Sequence, residues 1–437
     1  MRLYSTKNRS IEVGLEEAVF KGLPDDNGLF VPVNIPRLSD AFYKDINKLS
    51  FPEIAFEVSN ALIGDDIDEQ EIRKIINDVI TFDAPVIHIH DNIHVLELFH
   101  GPSLAFKDFG ARFMARLMSY FLEKRQREIN ILVATSGDTG SAVAQGFLDM
   151  PGIKVTILYP SKKVSDIQEK QLTTLGRNVK ALEVSGTFDD CQRLVKEAFL
   201  DKELNKRILL TSANSINISR LIPQSFYYFY GYAQVKEKGK PVVFSVPSGN
   251  FGNLCGGLIA KRMGLPVEKF VASTNMNDIV PEYLTSGLFQ PRPSIKTISN
   301  AMDVGNPSNF ARLMAFYEED LNKIKNDIWG AKYTDKQTSE AIQQVYKKIS
   351  YILDPHGAVG YLGLKDYFKE ASSSANGIFL ATAHPSKFLE VVEQVIEKRI
   401  ELPERLKETV KKEKKSIEMQ PDFNALKEYL LSSVSIR

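Results

Sequence analysis

The sequence predicts an α/β protein whose core is a parallel sheet. Short apolar runs alternate with segments of helical periodicity over most of the 437 residues, which are enough for two or three domains. Alternation of strands and helices is typical of a parallel sheet that helices cover on both faces. Ligands bind beyond the carboxyl ends of the strands in such sheets, so we expect the chemistry in the loops that follow the apolar runs.

The predicted elements follow from these runs in order. Apolar runs of strand length lie at 131–134, 154–159, 179–184, 207–210, 242–246, 270–273 and 378–381. Helical patterns lie near 140–150, 164–175, 188–200 and 216–235, and a further one ends at Met263. Each of these runs except the last two is followed by a predicted helix.

The pattern divides the chain into three parts. Residues 1–85 combine scattered prolines with a helical pattern over 50–80, which predicts a small α-rich N-terminal domain. Residues 86–400 are predicted to form a core of two α/β lobes, with a charged helical excursion near 311–350. Residues 401–437 are predicted to be a helical tail, whose lysine-rich stretch at 411–415 is interpreted as a solvated helical face.

Charge and cysteine content narrow the function classes. Lys+Arg and Asp+Glu both number 55, so no basic excess indicates nucleic acid or an anionic membrane as partner. No signal-peptide core or membrane-length apolar stretch is present, and a cytoplasmic protein is expected. Cys191 and Cys255 are too few for a disulfide framework or a cysteine-based zinc site. The histidines at 88, 90 and 94 lack a patterned carboxylate or cysteine, so no metal site is predicted.

Lys107 lies in the most informative stretch of the chain. A Gly-Pro loop leads into this lysine, Phe106 and Phe109 flank it, and an amphipathic helix follows. We expect partial desolvation here, which disfavours the ammonium form and lowers the pKa of the lysine. A neutral amine can attack an aldehyde, so Lys107 is a candidate Schiff-base lysine. The alternative is a solvated surface lysine at a helix start.

Two loops offer backbone donors to an anion. Residues 134–141 are rich in Ser, Thr and Gly and open a helix, whose free N–H groups could hold a carboxylate or a phosphate; the alternative is an ordinary N-cap. Residues 247–253 also open a helix, but they lack the lysine of a Walker loop and the glycine spacing of a dinucleotide site. A cradle for a phosphate monoester fits this loop better, and the alternative is a Gly-rich turn for close helix packing.

Three further polar stretches attract attention. Thr382 ends a predicted strand and can face the central crevice, although a capping role for it and a structural role for His384 are the alternatives. Asn217 and Arg220 are three residues apart on one face of a helix start, where an arginine can bind a phosphate bidentately. Residues 299–309 form an irregular polar loop of the kind that often lines a site.

Six of these motifs together resemble the threonine synthase family of fold-type II pyridoxal-phosphate enzymes. They lie in chain order at 100–109, 135–140, 214–220, 247–252, 301–305 and 382–385. The segments 4–7 and 26–30 also resemble the N-terminal domain of that family. The resemblance implies a fold like that of the tryptophan synthase β subunit, with two doubly wound α/β lobes and pyridoxal 5'-phosphate as the cofactor.

The resemblance also implies a role for each motif. Lys107 would form a Schiff base with the cofactor, and Thr382 would hydrogen-bond its pyridine nitrogen. The cofactor phosphate would lie against Gly249, Asn250, Phe251, Gly252 and Asn253. Family members often carry Asp where this chain has Asn253, so the implied contact there is made by the backbone. The substrate carboxylate would contact Ser136, Gly137, Asp138 and Thr139, with Asp138 near the phenolic oxygen of the cofactor. The substrate phosphate would contact Asn217 and Arg220.

The implied reaction converts O-phospho-L-homoserine and water into L-threonine and phosphate by γ-elimination and β-addition of water, the last step of threonine biosynthesis. The expected partner is therefore a small molecule, with neither nucleic acid nor membrane involved, and the enzyme would be a monomer or homodimer. The nearest alternative is a phospholyase or dehydratase of the same fold that releases a keto acid. Two more distant alternatives are a nicotinamide-dependent oxidoreductase, which the glycine spacing disfavours, and a silent binding protein, which Lys107 disfavours.

Overall fold

The computed structural model describes residues 1–125, 128–135, 137–237 and 240–432. It contains two compact units, each assembled from separate chain segments. Unit 1 comprises residues 1–15, 23–106 and 221–401, and unit 2 comprises residues 16–22, 107–220 and 402–437. Each unit is built on its own sheet. The division into three parts at residues 85 and 400 remains a prediction.

The first half of the chain supplies elements to both units. Residues 1–106 form strands β1 (Arg2–Ser5), β2 (Glu12–Gly14), β3 (Phe30–Pro32), β4 (Val86–His90) and β5 (Ile93–Glu97), and helices α1 (Leu15–Lys21), α2 (Asp40–Asp45), α3 (Phe51–Ile63) and α4 (Glu69–Val79). Residues 107–221 form α5 (Lys107–Arg125), β6 (Ile129–Ala134), α6 (Asp138–Gly146), β7 (Ile153–Pro160), α7 (Asp166–Thr173), β8 (Val179–Val184), α8 (Phe188–Leu200), α9 (Lys202–Arg207), β9 (Leu210–Thr211) and α10 (Ile218–Leu221).

The second half completes the two sheets. Residues 222–401 form α11 (Phe226–Val235), β10 (Val242–Pro247), α12 (Gly252–Arg262), β11 (Val267–Thr274), α13 (Ile279–Ser286), α14 (Phe310–Tyr317), α15 (Leu321–Asp327), β12 (Ile328–Lys332), α16 (Asp335–Ile349), α17 (Pro355–Ala371), β13 (Asn376–Ala381) and α18 (Leu389–Ile396). The remaining residues form α19 (Glu404–Lys411), β14 (Ile417–Met419) and α20 (Phe423–Ser432).

Unit 1 is built on a six-stranded sheet with the order β12-β11-β10-β13-β5-β4, in which all neighbouring strands are parallel except β4 and β5. The central strands β10 and β13 are buried along their whole length, as expected for a parallel sheet that helices cover. Helix α17 packs against β10, β11 and β13. The N-terminal residues add a three-stranded antiparallel sheet with the order β2-β1-β3.

Unit 2 is built on a five-stranded parallel sheet with the order β14-β8-β7-β6-β9. One face of this sheet packs on α8 and α20 through a core of buried leucines, among them Leu158, Leu182, Leu194 and Leu426. The predicted strand at 179–184 and the predicted helix at 188–200 have the predicted bounds. Parallel sheets as the basis of the fold are thereby confirmed.

Two predicted elements are wrong in their bounds. The long helix near 216–235 is two helices, α10 and α11, with a 3-10 turn at Ile222–Gln224 between them. Pro223 lies in that turn and cannot donate the N–H that a continuous α-helix requires. The strand predicted at 207–210 begins only at Leu210, because Arg207 is the last residue of α9 and Ile208 is its C-cap.

Five short strands lie in three regions that were predicted to be mainly helical. The excursion near 311–350 contains β12 at the edge of the six-stranded sheet, and the tail at 401–437 contains β14 at the edge of the five-stranded sheet. The α-rich N-terminal part contains the antiparallel sheet of β1, β2 and β3. Strands of three to five residues are too short to display a reliable period in the sequence.

Across the part of the chain that the structure describes, no helix combines the length and the apolar character needed to cross a bilayer. Among the same residues, no group of three or more His, Cys, Asp or Glu side chains could hold a metal ion.

Candidate active site

Three loops of unit 1 leave the same edge of its sheet. Strand β13 pairs in parallel with β10 on one side and with β5 on the other. The segment 98–106 follows β5, Thr382 follows β13, and the loop 248–251 follows β10. Because parallel strands end at the same edge, the topology gathers these three predicted motifs at the carboxyl edge of the sheet, where α/β proteins bind ligands.

The loop after β10 has the geometry of an anion cradle. It passes through Phe251, which has a left-handed backbone with φ 61°, and then enters α12 at Gly252. The N–H groups of the first turn of a helix have no intrahelical acceptor and lie at the positive end of the helix dipole. Gly249 is pressed against another loop, since a Cβ added there would lie 2.7 Å from Cα of Met302. The backbone of this loop therefore packs directly against the backbone at Met302.

Asn253 supplies a buried donor at the same place. Its Oδ1 accepts hydrogen bonds of 2.7 Å from the hydroxyls of both Tyr227 and Tyr228. Burial raises the pKa of both tyrosines well above the usual value, so they act as neutral donors. Among the described residues, Nδ2 of Asn253 has no hydrogen-bond partner although it is buried. An unpaired buried N–H₂ beside a helix N-terminus suits an anion, so the residues present fit the phosphate of pyridoxal phosphate.

Asn250 is oriented by a residue that the sequence did not single out for a role. Its Oδ1 accepts from the backbone N–H of Ser308 at 2.6 Å and from the hydroxyl of Ser308 at 2.8 Å. Ser308 belongs to the polar loop 299–309, and the polar composition of that loop was the only indication in the sequence that it could lie near a site. The two tyrosines that bind Asn253 lie on α11 and carried no such signal, because aromatic residues on a buried helix are ordinary core residues.

Thr382 lies beside the segment that leads to Lys107. Its carbonyl accepts from the backbone N–H of Phe106 at 2.9 Å, and Ala105 and Ala383 form an antiparallel bridge. Thr382 itself is 6% exposed. Burial lowers the pKa of His384 to about 4, and its Nδ1 accepts from the backbone N–H of Ser386. His384 is thus a neutral residue that caps the following turn, which matches the structural alternative for this residue.

Lys107 is the first residue of α5 in unit 2 and directly follows Phe106 in the chain. Its side chain is partly buried, and the next three residues of the helix are fully buried. Lys107 is therefore less exposed than a fully solvated surface lysine, and its role as the Schiff-base lysine stays a prediction.

The loop after β6 is the polar loop of unit 2. Ser136 lies outside the described residues. Oγ1 of Thr135 accepts from the backbone N–H groups of Gly137 at 3.0 Å and Gly140 at 2.9 Å. Gly137 has φ 147°, and a Cβ there would lie 2.5 Å from the side chain of Gln168. Gln168 also donates from Nε2 to Oδ1 of Asp138 at 3.1 Å. The side chain of Gln168 therefore contacts two successive residues of this loop, Gly137 and Asp138.

Asn217 and Arg220 serve the interior of unit 2. The Nδ2 of Asn217 donates to the carbonyl of Val19 at 2.8 Å, and its Oδ1 accepts from the N–H and hydroxyl of Ser219. Arg220 is 3% exposed and donates to the carbonyl of Ala213. Burial lowers the pKa of Arg220 to about 10, while the Asp108 carboxylate opposes this shift. Contact of either side chain with a substrate phosphate remains a prediction.

Comparison with known proteins identifies the class and then the family. A family model described as "Pyridoxal-phosphate dependent enzyme" matches residues 83–382, so the chain is a pyridoxal-phosphate dependent enzyme. Models described as "Threonine synthase N terminus" and "Threonine synthase, C-terminal" match residues 2–80 and 357–430. The chain belongs to the threonine synthase family, as the sequence motifs predicted, and the predicted cofactor is confirmed.

Individual relatives agree with this assignment over the full length. A threonine synthase of Haemophilus influenzae is 45% identical, and the match covers 99% of this chain and 100% of that protein. The solved threonine synthase of Escherichia coli superimposes with a TM-score of 0.90 at 41% identity, covering 99% and 100% of the two chains. A structure of pyridoxal-phosphate-bound threonine synthase from Brucella melitensis gives a TM-score of 0.94 at 34% identity, covering 99% of both chains.

Proposed function

We propose that this enzyme converts O-phospho-L-homoserine and water into L-threonine and inorganic phosphate. The observation that carries the proposal is the match of threonine synthase models to residues 2–80 and 357–430. Together they extend beyond both ends of the match at 83–382 to the general model of pyridoxal-phosphate dependent enzymes. An enzyme that only eliminates phosphate from the substrate would share the central region but would release a keto acid.

Lys107 would carry the cofactor covalently through its Nζ atom. Its position at the start of α5, directly after a segment bonded to Thr382, supports this role. When bound, the cofactor supplies an electron sink for the carbanion that forms beside the substrate amine. When its amine is free, Lys107 would be the natural general base for the proton on Cα of the substrate. The same lysine would serve the neighbouring carbon atoms, which makes precise positioning of the substrate important for the rate.

The loop of residues 249–253 would hold the cofactor phosphate. The first-turn N–H groups of α12, the left-handed turn at Phe251 and the unpaired Nδ2 of Asn253 support this assignment. The predicted contact at Asn253 was restricted to its backbone, and the geometry adds a side-chain donor to that proposal. Thr382 would hydrogen-bond the pyridine nitrogen through its hydroxyl, which, unlike a carboxylate, does not hold the ring in the protonated form.

The loop at residues 136–139 would orient the substrate carboxylate at the start of α6, with Asp138 near the phenolic oxygen of the cofactor. The turn that Thr135 and Gln168 shape supports this role. The proposed contact of the substrate phosphate with Asn217 and Arg220 has less support, because both side chains have intramolecular partners in unit 2.

We further propose that the enzyme works in the cytoplasm as a monomer or homodimer. Two free, buried cysteines and a balanced charge are consistent with this proposal.

The decisive experiment measures two products in one reaction. Purified enzyme with pyridoxal phosphate is incubated with O-phospho-L-homoserine, and phosphate and threonine are quantified together. We expect equal molar amounts of both products. Release of phosphate with ketobutyrate in place of threonine would instead identify an eliminating enzyme and refute the proposal.

A spectroscopic experiment tests the role of Lys107. The wild-type protein with pyridoxal phosphate should absorb near the border of the visible and ultraviolet ranges, and Lys107→Ala should lose this band. Lys124→Ala is the matched control, because Lys124 lies on the exposed end of the same helix. A band that survives in Lys107→Ala would show that another residue carries the cofactor.

A further inference from the structure

We propose that His356 is a positioning residue for the cofactor phosphate, acting through the backbone at residues 301–302 on the loop that contains Gly249. The inference rests on the proposed function of residues 249–253 as the phosphate cradle. All residues in the argument belong to unit 1.

The first step is the contact between two loops. A Cβ added to Gly249 would lie 2.7 Å from Cα of Met302 and 3.1 Å from the carbonyl oxygen of Ala301. The neighbours are backbone atoms, which cannot rotate away as a flexible side chain can. The position of residues 301–302 therefore fixes how far the backbone at Gly249 can retreat from a bound phosphate.

The second step is the hydrogen bond that holds residue 301. The backbone N–H of Ala301 donates to Nε2 of His356 at 3.2 Å. Since Nε2 is an acceptor, the ring proton lies on Nδ1, which donates to Oδ1 of Asp354 at 2.9 Å. His356 and Asp354 are 3% and 2% exposed. A buried carboxylate thus sets the tautomer of a buried histidine, and the histidine fixes one backbone amide of the loop.

The hydrogen-bonded series from Asp354 through His356 to Ala301, which we call the relay, begins at the start of a helix. Oδ1 and Oδ2 of Asp354 accept from the backbone N–H groups of His356 and Gly357, which caps α17. Helix α17 packs against β10, the strand that leads into the phosphate loop. The relay therefore connects the loop of residue 301 to the same rigid layer that supports the cradle.

The other side of the loop is held by hydrogen bonds in which His356 takes no part. Asp303 accepts from the backbone N–H and hydroxyl of Thr297 and from the side-chain amides of Asn275 and Asn277. Loss of His356 should therefore leave the loop folded but free to shift near residue 301. A shift of a few tenths of an ångström would lengthen backbone hydrogen bonds to a phosphate, whose strength depends steeply on distance and angle.

Three variants separate the two contacts of His356. His356→Ala removes both contacts. His356→Gln keeps an acceptor near the position of Nε2, while His356→Asn keeps a polar group near the position of Nδ1 and cannot reach Ala301. The control is His88→Ala, which removes an exposed histidine elsewhere in unit 1. Thermal unfolding of each full-length protein without cofactor checks that it is folded.

Two probes separate an effect on the phosphate from a general loss of structure. The full-length protein, stripped of cofactor, is titrated with pyridoxal phosphate and with pyridoxal, which lacks the phosphate, and binding is followed by absorbance. We expect His356→Ala and His356→Asn to bind pyridoxal phosphate about tenfold more weakly, the scale of one lost hydrogen bond. Their affinity for pyridoxal should change less than twofold, and His356→Gln and His88→Ala should resemble the wild type.

The outcomes distinguish this inference from the function on which it rests. Wild-type affinity for pyridoxal phosphate in the Ala and Asn variants would overturn the inference alone. Equal losses for both probes, or a Gln variant as weak as the Ala variant, would also overturn it. If the Ala variant does not fold, the comparison of Asn with Gln decides. If the wild-type protein itself does not bind pyridoxal phosphate, the proposed function fails and the inference fails with it.

Discussion

Replacement of Gly249 by Ala tests the phosphate loop directly. The added methyl group would lie 2.7 Å from Cα of Met302, whereas ordinary contacts begin at 3.4 Å. The two loops must therefore separate by 0.7 Å, the difference between these distances, or the strain must remain in the folded protein. Because the obstacle is backbone, rotation of a side chain cannot relieve the strain.

The cost follows from the energetics of overpacked sites. Extra methyl groups in a tightly packed region cost about 1–3 kcal/mol, and each 1.4 kcal/mol corresponds to about a tenfold change in affinity. If the loop yields, we expect affinity for pyridoxal phosphate to fall by about 5- to 150-fold. If the loop does not yield, the free energy of unfolding without cofactor should fall by about 1–3 kcal/mol.

The matched control is Gly14→Ala, since Gly14 also lies in unit 1 but has no atom within 4 Å of an added Cβ. A Gly to Ala change at an open position alters stability by less than about 1 kcal/mol. Cofactor titration and urea unfolding should therefore separate the two variants. If Gly249→Ala and Gly14→Ala have the same cofactor affinity and the same stability, the close contact between Gly249 and Met302 does not constrain the loop, and the reasoning is refuted.

Two further substitutions test the surroundings of this site. Burial lowers the pKa of His384 to about 4, so below pH 6.5 the unfolded chain takes up a proton that the folded protein does not. The free energy of unfolding should therefore fall by about 2 kcal/mol between pH 7 and pH 5. His384→Gln should lose this part of the pH dependence. An unchanged pH profile in His384→Gln would assign the effect to other groups. Tyr228→Phe removes the hydroxyl that donates to Oδ1 of Asn253 and should cost about 1–2 kcal/mol in urea unfolding. No measurable change would mean that Tyr227 alone satisfies Asn253.

The sequence could predict the loops of the site because each one follows a strand. Apolar runs at 242–246 and 378–381 identify β10 and β13, and parallel strands must end at a common edge. The polar residues directly after these runs, from Ser248 to Asn253 and at Thr382, are therefore placed by topology alone. No knowledge of side-chain packing is needed to place these loops at one edge of the sheet, and their position agrees with the structure whereas the predicted bounds of α10 and β9 do not.

The supports behind the loops were not predictable in the same way. His356 contacts Ala301 across 55 positions of the chain, and Ser308 contacts Asn250 across 58. A local pattern cannot indicate which distant residues will meet. What the sequence does display at Asp354-Pro355 is a helix start, because an Asp N-cap followed by Pro is a typical capping pattern. That the cap also orients a histidine toward a second loop is a property of the folded unit.

The spacing of Asn217 and Arg220 predicts a shared face but leaves open what that face contacts. Residues three apart do share one face of a helix, but spacing does not reveal whether that face points toward a ligand or toward the interior. Here the side-chain amide of Asn217 donates to the backbone of α1. A Cβ added to Gly110, in the first turn of α5, would lie 2.8 Å from Nε of Arg220. A glycine at residue 110 is what permits the arginine to approach the helix that Lys107 begins. Arg220 is thus placed to support that helix from inside unit 2, and its contact with a substrate phosphate stays a prediction.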